Sequence, residues 1–303
     1  MPLLLPQLSR REFLKRAAIA GAAVTLTPSS YAGMFGKSRD KHTFAFFSDP
    51  HIAADATTVS RKVNMADHLA VCVRELAAWP VKPATVIVNG DLAFQSGQPE
   101  DYATFGKLFE PVRALAPVRL TMGNHDEREN FWHAFPHDAQ KLKSVPQRQA
   151  AVFSGDRANW FLLDSLDKTN STPGELGAAQ LDWLDGALKS RADKPAIIVA
   201  HHNLQTPGMT AGITDSAALE ELFTRHRQVK TFIFGHTHDW HVSQHASGVH
   251  LINLPPTGYT FTEGRPSGWV RASLARDGME VELRCLDPNH SEHAQLKQLK
   301  WRV

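Results

Sequence analysis

The sequence predicts an α/β (α+β) protein built on two packed β-sheets with helices against their outer faces. Three observations carry this. Strand-like and helix-like segments alternate from residue 43 to 235, and from Trp240 onward the chain reads as short strands only. No linker, repeat or low-complexity run interrupts that order. The 303 residues are 42% hydrophobic and 21% charged, so one domain can bury a large core without disulfides.

The elements follow in order. TFAFF (43–47) and ATVIV (84–88) are short runs rich in aromatic and β-branched residues, the signature of buried strands. Between them RKVNMADHLAVCVRELAAW (61–79) places Val63, Leu69, Val73 and Leu76 at helical spacing. EDYATFGKLFEPVRAL (100–115) is a helix, PVRLTM (117–122) a strand and NFWHAF (130–135) a short helix. AAVFS (150–154) and NWFLLDS (159–165) form an antiparallel pair across a Gly-Asp turn. LGAAQLDWLDGALKSR (176–191) keeps Leu181, Leu184 and Leu188 on one side. PAIIVA (195–200) and VKTFIFG (229–235) are strands around the helix SAALEELFTRH (216–226). WHVSQH, VHLINL, GWVRASLA and MEVELRCL are the closing strands. One domain is expected over 40–288, with 289–303 as a loose tail.

Residues 1–32 read as an address. Ser9-Arg10-Arg11-Glu12-Phe13-Leu14-Lys15 precedes a modest apolar stretch, Ala17 to Leu26, and Ser30-Tyr31-Ala32 offers small residues at a cleavage site. This resembles a twin-arginine export signal, which implies passage through that machinery and a periplasmic or secreted location. The apolar stretch is shorter than the about 20 residues a membrane helix needs, so no stable anchor is expected. Residues 1–32 carry four basic residues against one acidic, leaving 29 basic and 30 acidic residues after Ala32 and a net charge of −1. Such a chain has no electrostatic reason to seek nucleic acid. Cys72 and Cys285 read as buried small hydrophobes, with a bridge between them left open.

Each main strand ends in metal-type side chains. These are Asp49 and His51, then Asp91, then Asn124, His125 and Asp126, then His201 and His202, then His236 and His238. Strand C-termini converge on one edge of an α/β sheet, so residues distant in sequence can share one site. Carboxylate, imidazole and amide oxygen suit Zn, Mn or Fe, and no thiolate is offered. Asp91 has two oxygens and could bridge two cations about 3.5–4 Å apart, a pair that clamps a phosphoryl group and activates water. Asp126 could orient the His125 imidazole or cap the helix that follows.

Asp49-x-His51, Gly90-Asp91, Gly123-Asn124-His125-Asp126, His201 and Gly235-His236-Thr237-His238 resemble, in order, the five signature blocks of the calcineurin-like metallophosphoesterases. The block pattern resembles the phosphodiesterase branch that includes bacterial cyclic-nucleotide and glycerophosphodiester hydrolases. The resemblance implies a four-layer αββα sandwich: two mixed sheets flanked by helices, with a dinuclear centre of divalent or mixed-valence ions at the strand ends. It implies Asp49, His51, Asp91 and His238 on one metal, and Asp91, Asn124, His201 and His236 on the other. His125 would stand beside the metals, stabilising the attacked phosphate or protonating the leaving oxygen. His202 is second to His201 as a ligand. Where purple acid phosphatases place an iron-binding Tyr, this chain has Phe94, so no tyrosinate-to-iron colour is expected.

These readings favour a metal-dependent phosphodiesterase, with a phosphomonoesterase on the same centre as the alternative and a silent metal-binding module behind both. The loop 253–270, with Tyr259, Phe261 and Arg265, could be a substrate wall or a plain connection.

Overall fold

The computed structural model describes residues 39–137 and 144–303. The proposed address at 1–32 lies outside the described residues. Two six-stranded mixed sheets form the centre. The first runs β14-β13-β12-β1-β4-β5 and the second β10-β11-β9-β8-β7-β6. In chain order the strands are β1 (Arg39–Ser48), β2 (Val59–Ser60), β3 (Val63–Asn64), β4 (Lys82–Asn89), β5 (Val118–Thr121), β6 (Ala151–Ser154) and β7 (Asn159–Leu162). They continue with β8 (Ala196–Val199), β9 (Val229–Phe234), β10 (His241–Gln244), β11 (His250–Asn253), β12 (Gly268–Leu274), β13 (Gly278–Cys285) and β14 (Leu296–Lys300). Five helices are described: α1 (Met65–Ala78), α2 (Pro99–Leu115), α3 (Arg128–Ala134), α4 (Ala178–Lys189) and α5 (Ser216–Arg225).

Side-chain alternation sorts the strands into layers. Phe44 and Phe46 of β1 face Trp160 and Leu162 of β7 and Ile197 and Val199 of β8 in the core between the sheets. Ala45 and Phe47, one residue out of step, pack against Leu69, Val73 and Leu76 of α1 and Phe105 and Phe109 of α2. On the second sheet Phe161, Ile198 and Phe232 face Leu184 and Leu188 of α4 and Leu219 and Phe223 of α5. The central strands are apolar on both faces because both faces are covered, giving the helix-sheet-sheet-helix order.

Helix ends follow local chemistry. Asn64 caps α1 by accepting from the Asp67 amide at 3.0 Å. Trp79, before Pro80, is extended and ends the helix. The first turn of the stretch expected to be helical is instead part of a small hairpin, β2 paired with β3. Pro99 opens α2, where its missing N–H is not needed.

The loose tail is a correction. Residues 296–300 form β14, antiparallel to β13 from Glu282↔Leu296 to Gly278↔Lys300, and Leu299 joins the core between the sheets. Beyond it Arg302 donates to the carbonyls of Val229 (2.9 Å), Ser247 (2.7 Å), Phe223 (2.5 Å) and His226 (2.8 Å). It thereby satisfies carbonyls at the end of α5. The segment LKQLK buries one apolar residue, too little for a period-two signal to stand out. His226 is buried and bonds Asp185 at 2.7 Å. Cys72 and Cys285 are buried free thiols.

Candidate metal centre

β1, β4 and β5 of one sheet and β8 and β9 of the other each end just before a site residue. Five of those residues adopt left-handed backbone: Asp49 (φ 50°), His51 (49°), Asp91 (51°), His236 (66°) and His238 (53°). Non-glycine residues rarely do so, and each costs about 1–2 kcal/mol. The turn folds a strand end back so that side chains of alternating direction aim at one point. Glycine is required where the loops touch. A Cβ on Gly123 would overlap Asp91 Oδ1 and His201 Nε2, and one on Gly235 would overlap Ser48 Oγ and Asp49 Oδ2.

Two ligand groups result, Asp49, His51, Asp91 and His238 in one and Asp91, His201 and His236 in the other, each with its donor atoms within 4.8 Å of one another. Asp91 belongs to both. All are buried except His236, which is partly exposed. Asn124 is buried too, and its Oδ1 has no hydrogen-bond partner.

The tautomers test whether cations fit. His51 Nδ1 faces the Phe94 carbonyl at 3.3 Å, His238 Nδ1 that of Tyr259 at 2.6 Å and His201 Nδ1 that of Asn89 at 2.9 Å. A carbonyl only accepts, so each Nδ1 carries a proton; each ring turns its Nε2 inward, where it is a bare donor in the neutral form. Those of His51 and His238 confront each other at 3.0 Å. Asp91 Oδ2 lies 3.6 Å from His51 Nε2 and 3.3 Å from His201 Nε2, and Asp49 Oδ1 lies 3.4 Å from His238 Nε2. So many lone pairs in a dry pocket repel unless positive charge stands between them. The donor set suits two divalent metal ions.

Electrostatics agree. Burial drives the His51 and His236 imidazoles down to about 3, keeping them neutral. Burial opposes charge on His201 and Asp91 as well, but their mutual attraction wins: the His201 value rises and that of Asp91 falls, so Asp91 draws positive charge to His201 Nε2, as a proton or as a cation in its place.

His125 stands at the rim. Its amide donates to Asp91 Oδ1 at 2.8 Å and its Nδ1 bonds the Gln95 carbonyl at 2.7 Å, leaving Nε2 toward a cavity of about 430 Å³. The cavity is also lined by Asn124, His236, Asn203, Met209 and Phe261. Asp126 is a second correction, since it neither orients His125 nor caps α3. Its carboxylate accepts from the amides of Gly123 (2.9 Å), Leu92 (3.3 Å) and Ala93 (3.2 Å) and from the Tyr102 hydroxyl (3.1 Å), bracing two ligand loops. Burial raises it to about 6. Glu127 caps α3, accepting from the Asn130 amide. His202 is buried outside both ligand groups, with Nδ1 2.8 Å from Ser165 Oγ and its ring 4.5 Å from that of His236.

The 253–270 loop is a connection that packs against the first ligand group. Thr257 and Gly258 donate to the carbonyls of Ser48 and Asp49, while Tyr259 and Phe261 pack on His238 at 4.8 and 4.1 Å. Arg265 is engaged elsewhere, forking onto Asp239. Sequence reading missed Asn89 and Phe94, because they act through backbone carbonyls, which every residue has.

Residues 42–240 match the model of the calcineurin-like phosphoesterase family. The chain belongs to that family. It is similar to a cAMP/cGMP dual specificity phosphodiesterase of Mycobacterium tuberculosis, 27% identical over 66% of this chain and 63% of that protein. The matched stretch is thus under two thirds of that relative's length. It is also similar to a glycerophosphodiester phosphodiesterase of Enterobacter lignolyticus, 24% identical over 70% of this chain and 76% of the relative. The fold resembles that of a dimetal phosphatase from Danio rerio, with a TM-score of 0.66, 18% identity, and coverage of 86% of this chain and 99% of that one. This chain thus joins that family's match to a metallophosphatase-like fold, and carries its two ligand groups at the strand ends.

Proposed function

We propose that this calcineurin-like phosphoesterase is an exported phosphodiesterase acting on small phosphoesters. The observation that carries the reading is Asp91, one carboxylate common to two groups of inward-facing bare donors. Asp49, His51, Asp91 and His238 would hold one ion, and Asp91, Asn124, His201 and His236 the other. Mn, Fe or Zn fits these nitrogen and oxygen donors. Two bound ions supply Lewis acidity to the phosphoryl oxygens and make a water acidic enough to attack phosphorus. Gln95 and the Asp91 hydrogen bond to the His125 amide hold that imidazole at the rim. There, protonated, it gives its Nε2 proton to the departing ester oxygen. Tyr259 and Phe261 shield His51 and His238 from solvent.

Two features favour a diester. Relatives carry phosphodiesterase names. The cavity has an apolar side at Met209 and Phe261 against which a second ester arm can lie. The test loads purified protein with Mn, Zn or Fe and compares bis(p-nitrophenyl) phosphate with p-nitrophenyl phosphate. The expected outcome is preference for the diester. Preference for the monoester would make the protein a phosphatase, and no turnover with metal bound would make it a binding module.

Export rests on Arg10-Arg11 and the apolar stretch after them. Among the described residues no helix is long and apolar enough to cross a membrane. Substituting both arginines with lysine should retain the protein in the cytoplasm; unchanged periplasmic activity would reject the twin-arginine route.

A further inference from the structure

We infer that Arg61 is a specificity-determining residue, selecting substrates that carry a second anionic group beside the scissile phosphoester. This rests on the phosphodiesterase reading above. The Arg61 guanidinium carbon lies 4.9 Å from the Phe261 ring centre and 5.5 Å from that of Tyr259. Phe261 stacks on His238 at 4.1 Å with 14° between planes, and Tyr259 lies 5.0 Å from His51. One aromatic ring therefore separates Arg61 from two members of the first ligand group. The side chain is exposed, and among the described residues no carboxylate forms an ion pair with it. Its guanidinium shares one N–H with the Tyr259 hydroxyl and keeps other donors for an incoming anion, whereas Arg265 is occupied by Asp239.

The backbone supplies an independent observation. Arg61 (φ 50°) and Lys62 (φ 68°) are the two turn residues of the β2–β3 hairpin, and both are left-handed. Such a turn is ordinarily built from Asn-Gly, because side chains disfavour it. A strained pair kept at the rim of a site marks a position whose placement matters. Here the turn lifts Arg61 over the aromatic pair, which holds it by cation–π contact. Phe261 borders the cavity beside the proposed metal ligands, so a substrate arm extending past its edge reaches the guanidinium. A planar fork of donors matches carboxylate or phosphate in a way a lone ammonium does not.

The test uses metal-loaded enzyme and p-nitrophenyl phosphodiesters whose second arm ends in a methyl, a carboxylate or a phosphonate, with spacers of about two to five methylenes. The wild type should favour the best anionic arm over its methyl counterpart by about tenfold or more in kcat/KM, chiefly through KM. Arg61→Gln should abolish that ratio, Arg61→Lys retain part of it and Arg265→Gln keep it. The ratio is internal to each protein, so partial loss of folded enzyme does not disturb it. Equal ratios in wild type and Arg61→Gln, or loss of the ratio in Arg265→Gln, would overturn the assignment while leaving the phosphodiesterase reading intact. Failure of the wild type to hydrolyse any diester would overturn that reading and this inference with it.

Discussion

Asp91 and His125 are joined by one hydrogen bond yet are expected to fail differently. Asp91 faces His51 and His201 through one oxygen and holds the His125 amide through the other. Asp91→Ala should therefore lose both metal ions by elemental analysis, whereas His238→Ala should weaken mainly one. His125→Ala should keep its metal content. It should lose about 10²–10⁴-fold in kcat on esters with alkyl leaving groups and much less on p-nitrophenyl esters, since nitrophenolate departs without a proton. Equal losses on both ester types would remove the proton-donor role. The residue types were legible in the sequence, because carboxylate and imidazole at successive strand ends have few other uses. The role of Asp126 was not. Adjacency to His125 suggested contact, but Asp126 turns inward to three amides and a phenol.

At the scale of elements, hydrophobic period located the central strands and the long helices, and it failed where an element buries little. β14 presents one buried side chain, and the β2–β3 hairpin is two residues wide on each side. Both nonetheless have work to do. Arg302 answers four carbonyls, so Arg302→Ala should cost about 2 kcal/mol or more in urea unfolding, where a free tail would cost nothing measurable. Asp185 links α4 to the end of α5. Its hydrogen bonds to Lys189, then to His226 and Arg225, hold its carboxyl well below the usual range. A carboxylate depressed in the folded state stabilises above its unfolded value, near 4, and that contribution fades as pH falls toward the lower folded value. Asp185→Asn should thus have a lower Tm than wild type at pH 7, and the gap should narrow below about pH 4. A gap independent of pH would exclude the ionic contribution.

Over the whole molecule, the site stands where two sheets meet, with ligands from both. Ions bound there would cross-link the sandwich and stabilise only the folded state, by about 2.7 kcal/mol at a hundredfold excess over Kd. Stripping metal with a chelator should lower Tm by several degrees and restoring it should reverse the change, with Asp91→Ala insensitive to both. A chelator effect of equal size in Asp91→Ala would place the stabilising ions elsewhere.

The sequence by itself determined the fold class, the order of the strands that carry ligands and the kinds of atom those ligands offer. Periodicity and residue chemistry are local properties, written into neighbouring positions. Tertiary structure alone decided that imidazole nitrogens confront one another around Asp91, that Asp126 braces loops, and that Arg61 rather than Arg265 stands at the rim without a carboxylate partner. Those are matters of distance between residues far apart in the chain, and distance is fixed only when the layers pack.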